Sequence, residues 1–166
     1  MAESKQYILY AVKHGLMHQA QRLISLADEV LRIRPYDESL QVFFLIMCAE
    51  NIAKLHDGFN GEGKSRFYVR KFFEKFLSNH DKEILASGFI DEDDNLQRSL
   101  DFEQVVNMFY NLRCDVVHEG NYKDFYFHDH TCSILNTNPN VTAILRLKDI
   151  RSIIVRGCIK AVQDSL

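Results

Sequence analysis

The segment ESLQVFFLIMCAENIAKLH, residues 38–56, is apolar on nearly every side. A helix with one polar face can lie on a surface, but a helix that is apolar all round must be wrapped by other elements. The rest of the chain therefore has to supply a shell, and most of it has helical periodicity. Residues 4–33 carry Leu9, Val12, Leu16, Leu23, Leu26, Val30 and Ile33 at helical spacing. Gly15 weakens the middle of this run, which predicts one bent helix or two, and Pro35 ends it. Further on, Val69, Phe72, Phe73, Phe76 and Leu77 fall at i, i+3, i+4, i+7 and i+8, with Arg66, Arg70, Lys71 and Lys75 on the opposite side. This is the pattern of an amphipathic helix with an aromatic inner face and a basic outer face. A basic face of this kind is in most cases simply solvated.

A fourth helical stretch runs from Leu100 to His118, capped by Ser99 or Asp101 and stopped by Gly120. Beyond it the period changes. DFYFHDHTC alternates, VTAILRLK favours β-branched and apolar residues, and Asn136–Asn140 between them is turn chemistry, so a β-hairpin is expected. A final helix from Asp149 to about Gln163 would bury Ile150, Ile153, Ile154, Gly157, Cys158, Ala161 and Val162. The acidic run DEDDN, residues 91–95, lacks the glycine and the terminal glutamate of a calcium loop and reads as a solvated connection. The expected fold is all-α, a single domain over residues 1–166, built as a helical bundle with one small β-hairpin before its last helix. With 166 residues the chain can bury roughly 70% of its unfolded surface, so it needs no disulfide or metal to hold it.

A net charge of -3 gives no general attraction to nucleic acid. No apolar run reaches the roughly 18 residues of a membrane span, and MAESKQY has no basic-then-apolar leader. Four scattered cysteines without a C-x-x-C pair fit reduced thiols in a cytoplasmic protein.

GFNGEGKS, Gly58 to Ser65, is spelled like a phosphate-binding P-loop. Such a loop works only where a buried strand feeds it and a helix follows. Here the preceding apolar segment has the length of a helix and ends AENIAKLHD. The expectation is therefore a connection between two helices, with Gly58 after a C-terminus, Gly61 and Gly63 in the turn and Ser65 capping the next helix.

The stretch 100–118 holds the most informative residue. Its apolar stripe is Phe102, Val105, Val106, Phe109, Leu112, Val116 and Val117. At about 100° per residue, Arg113 falls inside that stripe. A guanidinium keeps its charge, and burying it without partners is costly. It therefore needs a carboxylate, a helix C-terminus, an interface or a ligand phosphate, and Glu50, itself inside the apolar helix, is one carboxylate that could pair with it, as a contact that only fixes packing. His118 follows five residues on, about 140° round the axis, in the last turn, where its side chain can swing. Asp115, at i-3, is close enough in sequence to orient the imidazole.

NLRCDVVHEGN, with its R-x-x-x-x-H spacing, resembles the signature of HEPN domains (higher eukaryote and prokaryote nucleotide-binding). The surroundings are similar too, a helical bundle with the motif late in a long helix and one more helix after it. The resemblance implies an all-α homodimer whose paired arginine and histidine line a cleft between the two copies. In many members it also implies metal-independent RNA cleavage. Carried onto this chain, Arg113 would steady the charge on the scissile phosphate and His118 would move the proton of the ribose 2′-hydroxyl. Cys114 stands directly after Arg113, where catalytic members usually have a polar residue, often Asn, and Asp115 lies one step further. Other HEPN dimers do not cleave and act as interaction modules or antitoxin-bound partners. RNA, a nucleotide, and an antitoxin or other regulatory protein are therefore the partners the resemblance offers. Lys64, Arg66, Arg70, His128 and His130 are candidate RNA contacts, and no cofactor is expected.

His128, His130 and Cys132 would share one face of a strand and are ligand types that suit zinc. Zinc sites more often draw ligands from separate elements, so no metal is assigned. The same residues could instead form the polar face of a half-buried hairpin or the rim of the Arg113–His118 cleft.

Overall fold

The computed structural model describes residues 2–35, 37–91, 98–120 and 141–165. Within them the chain is a helical bundle with a small antiparallel sheet. Its helices are α1 (Ala2–Ile33), α2 (Glu38–His56), α3 (Ser65–Phe76), α4 (Asn79–Ser87), α5 (Phe102–Glu119) and α6 (Leu147–Asp164). The strands are β1 (Phe89–Asp91), β2 (Arg98–Ser99) and β3 (Val141–Ala143).

The all-round apolar segment is the centre of the bundle. α2 touches α1, α3, α5 and α6, and Val42, Leu45, Ile46, Cys48, Ala49, Ile52 and Ala53 have no exposed surface. α1 is one unbroken helix through Gly15, where an added Cβ would meet nothing. It buries Leu16, Ala20 and Ala27, while Leu26 and Ile33, expected on the inner face, are exposed. Asp28 ties α1 to α6 through paired hydrogen bonds of 2.7 Å from Nε and Nη2 of Arg151.

α3 has the aromatic inner face its spacing predicts, with Tyr68, Val69, Phe72, Phe73 and Phe76 buried. Its approach to α6 is close because residue 157 has no side chain. A Cβ there would lie 2.6 Å from Cζ of Phe72 and 3.0 Å from Cδ1 of Leu77, so a larger residue would force the two helices apart. Cys48 and Cys158 meet in the same layer with their sulfurs 3.7 Å apart, well beyond a bonded distance. Both are free thiols, as is Cys114. The neighbouring Cys48 thiol and burial push the Cys158 thiol far above its ordinary range.

α4 was not apparent from the sequence. Ser78 caps it, with Oγ accepting from the Asp81 amide at 3.1 Å while its hydroxyl donates to Oδ2 of Asp81 at 2.8 Å. From α6, Arg156 donates Nε to Oδ1 of Asp81 at 3.0 Å and Nη2 to the same oxygen. Asp81 is buried. Burial alone would push its carboxyl up, but the Arg156 and Ser78 hydrogen bonds outweigh that and hold it below the ordinary value of 3.8. A carboxyl held low when folded stabilises fully above its unfolded value and loses that contribution as pH falls through its folded value. The wild-type urea midpoint is therefore expected to drop as pH is lowered from about 5 to below 3. Urea melts of Asp81→Asn across the same range should show a lower plateau and a shallower drop.

The sheet has the order β2-β1-β3. Ile90 pairs with Ser99, and Phe89, Ile90 and Asp91 pair with Ala143, Thr142 and Val141. Val141–Ala143 is thus a strand, as its β-branched residues suggest. Its partner is Phe89–Asp91, and it ends before Leu147, which already belongs to α6. The other expected arm of the hairpin, DFYFHDHTC, and the turn at 136–140 lie outside the described residues. Among the described residues no helix is long and apolar enough to cross a membrane.

Candidate functional site

α5 places the motif. Asp101 and Gln104 form a reciprocal cap, with Asp101 Oδ1 accepting from the Gln104 amide at 2.7 Å and Gln104 Oε1 accepting from the Asp101 amide at 2.8 Å. At the other end Gly120 takes φ 60°, and its N–H returns to the Asp115 carbonyl. Between these ends Val105, Val106, Met108, Phe109 and Leu112 are buried. α2, α3 and α4 of the same chain pack against α5, so this part of the stripe is covered without a second copy. Val117, counted in the stripe from its spacing, is 46% exposed, because the inward face ends a turn before the helix does.

Arg113 does sit in the stripe, and Glu50 is its carboxylate. Nε of Arg113 lies 3.2 Å from Oε2 of Glu50, and the two side chains are 13% and 3% exposed. Neither atom is aligned for a hydrogen bond, so the pair is held by charge and packing. Lys54, one turn along α2, places Nζ 2.7 Å from the other Glu50 oxygen. One buried anion is thus shared by two cations. Nη2 of Arg113 also donates to Oγ of Ser65 at 3.3 Å.

That last contact brings two sequence features together. The Gly58–Ser65 segment joins α2 to α3 and is fed by a helix, as expected, with Gly58 at φ 65° and Gly63 at φ 78°. It thus lacks the preceding strand of a P-loop. Ser65, however, does not cap α3. Lys64 occupies the cap position in the left-handed region at φ 57°, with no side-chain cap bond, and Ser65 begins the helix. Freed from capping, its hydroxyl meets Arg113.

His118 and Asp115 are not joined. His118 is exposed, whereas Asp115 is half-buried and its Oδ2 has no hydrogen-bond partner. The expected orientation of the imidazole by Asp115 is absent among the described residues. An i-3 neighbour shares a helix face, but here the aspartate leans inward while the histidine leans out. Arg113 and His118 likewise leave the helix in different directions, the first toward α2 and α3 and the second to solvent. Cys114 is half-buried beside Tyr110; its hydrogen bond, together with burial, raises the phenol above its ordinary range.

The basic edge is less open than the sequence implies. Arg70 is engaged by Glu74 at 2.7 Å and by Glu103 at 2.8 Å. Arg66 donates Nη2 to Oδ1 of Asn107 at 3.0 Å and lies over the Tyr110 ring. Lys64 lies over the Phe59 ring. Lys64 and Arg66 have no carboxylate partner among the described residues, and both flank Ser65. The role of Asn107 and Tyr110 in holding Arg66 was missed, because single polar residues on a helix give no signal until the neighbouring helix is placed. His128, His130 and Cys132 lie outside the described residues, within which no group of three metal-ligating side chains converges.

Comparison with known proteins leaves the resemblance resting on these residues alone: no family model, no curated protein and no solved structure matches the chain.

Proposed function

We propose that the chain is a HEPN-like homodimer that cleaves RNA without a metal, with Arg113 and His118 lining a cleft between two copies. The observation that carries this reading is an arginine held in a helix stripe by a buried glutamate, followed five residues later by an exposed histidine. Arg113 is held by Glu50, and its Nη2 reaches Ser65, which Lys64 and Arg66 flank in sequence. His118 is free to move into a shared cleft, and the exposed Val117 beside it gives a second copy an apolar residue to cover.

In the reaction His118 takes the proton of a ribose 2′-hydroxyl as that oxygen attacks phosphorus. The bond from phosphorus to the 5′ oxygen breaks, and the leaving oxygen takes up a proton. A 2′,3′-cyclic phosphate and a 5′-hydroxyl end result. Arg113 meets the negative charge that builds on the phosphoryl oxygens. Lys64 and Arg66 hold the flanking backbone, so each should contribute about 0.7 unit to the slope of log affinity against log salt on single-stranded RNA. Filter binding of single-stranded RNA by Lys64→Ala and Arg66→Ala, over a salt series, measures that contribution.

The test of function is incubation of single-stranded and loop RNA with the protein in EDTA, alongside its molar mass in solution. Cleavage by a dimer supports the reading, and a dimer that cleaves no RNA contradicts it. One observation favours a second reading, a HEPN-like interaction module without catalysis. Arg113 is mostly buried and already ion-paired, which is how an arginine that only fixes packing looks. A nucleotide-binding module using Gly58–Ser65, whose test is thermal stabilisation by ATP that Lys64→Ala abolishes, is a separate reading, and the helix that feeds this segment counts against it.

A further inference from the structure

The end of α3, α4 and α6 line a cleft of about 720 Å³ to which neither Arg113 nor His118 contributes. This is within the ordinary volume of small-molecule sites. Leu77, Ile84, Leu145 and Ile153 supply its apolar surface, and Arg156 and Lys160 stand one turn apart on α6 at its side.

Apart from His80, whose imidazole can both donate and accept, the hydrogen-bonding capacity of the cleft is unbalanced toward donors. Both carboxylates that line it are engaged by arginines. Asp81 is held by Arg156, and Asp149 accepts from Arg146 at 2.9 and 3.3 Å. Both lining hydroxyls are also spent, with Ser78 donating to Asp81 and Ser152 to the Lys148 carbonyl. Donors remain. Arg156 uses Nε and Nη2 on Asp81 and is half exposed, which leaves Nη1 for a ligand. Among the described residues Lys160 is held only by Asp164, in an exposed pair at 2.9 Å, a kind of pair that exchanges readily. The buried Asp81 fixes the guanidinium plane of Arg156 in advance, which lowers the cost of ordering it around a ligand.

We propose that this cleft binds a small anion carried on an apolar body, a carboxylate or a phosphate monoester with an aromatic or aliphatic tail. The anionic head meets Arg156 and Lys160, and the tail covers the apolar wall of Leu77, Ile84 and Ile153. This site is independent of Arg113 and His118 and stands or falls separately from RNA cleavage.

The probes are phenyl phosphate and phenylacetate, with phenol as the uncharged control, each titrated into the full chain and followed by backbone amide NMR shifts. Saturable shifts confined to residues 78–84 and 149–160 are expected from at least one of the two anions, and the stronger binder identifies the head group. Arg156→Lys keeps a cation beside Asp81 but loses the planar fork, and should weaken binding about tenfold. Ser152→Phe fills the cleft without changing any charge and should abolish the shifts, with helicity by circular dichroism retained. The proposal is overturned if neither anion gives saturable shifts, if phenol binds as tightly, or if Ser152→Phe binds as the wild type does.

Discussion

Replacing Glu50 with alanine is expected to lower the unfolding free energy by about 3–5 kcal/mol, a fall of roughly 6–20 °C in Tm for a chain of this size. The cost arises from what is left behind. Glu50 is buried and faces two cations. Lys54 can swing its flexible stem toward water when the carboxylate goes. Arg113 cannot, because it stands within the packed part of α5 with its side chain 13% exposed. A guanidinium stranded there keeps its charge and loses its partner. Removing both charges tests this account. Glu50→Leu with Arg113→Met should recover most of the lost stability, since a buried pair replaced by apolar groups of similar size is often neutral or better. Urea and thermal melts of Glu50→Leu, Arg113→Met and the double variant measure the coupling directly. Additive losses would mean that the two residues do not act as a pair.

His118→Ala is expected to reduce the rate of RNA cleavage by about 10²–10⁴-fold, the usual worth of a general base or acid. It should leave Tm within about 2 °C of wild type, because substitutions on exposed surface rarely change stability by more than about 0.5 kcal/mol. This separation is what makes His118 informative. On the proposed reading Arg113→Met would disturb catalysis and packing together, so a loss of activity alone would not distinguish a phosphate contact from a disrupted helix interface. The Glu50→Leu, Arg113→Met double variant resolves this. Restored stability with activity still absent assigns Arg113 to the reaction, whereas restored activity removes it from the site.

The parts of the fold that could be read from sequence were those with enough residues to show a period. α2 was readable because an apolar surface on every side has one physical outcome. The Glu50–Arg113 pair was readable for a related reason, as one charge in an apolar helix and another in an apolar stripe have few ways to be satisfied except together. α4, with nine residues, and β1 and β2, with three and two, are too short for periodicity to declare them. α6 begins at Leu147 rather than Asp149 because Arg146 takes the cap position with no side-chain cap bond, so the usual start signal is missing. Lys64 in the left-handed region is a similar case, since that conformation is uncommon outside glycine and asparagine. The direction of Asp115 could not be read at all. Its spacing from His118 permits contact, but which of them turns inward depends on the neighbouring helices.

The reading of Arg113 and His118 as a metal-independent nuclease site is tested most directly by one comparison. An RNA oligonucleotide and the same oligonucleotide carrying 2′-deoxyribose at the cleaved position are incubated with wild-type protein in EDTA, and the product ends are identified. Cleavage of the first to a 2′,3′-cyclic phosphate and a 5′-hydroxyl, with the second left intact at that position, is the predicted result. Cleavage that ignores the missing 2′-hydroxyl, or no cleavage of RNA at all by the folded protein, would contradict it.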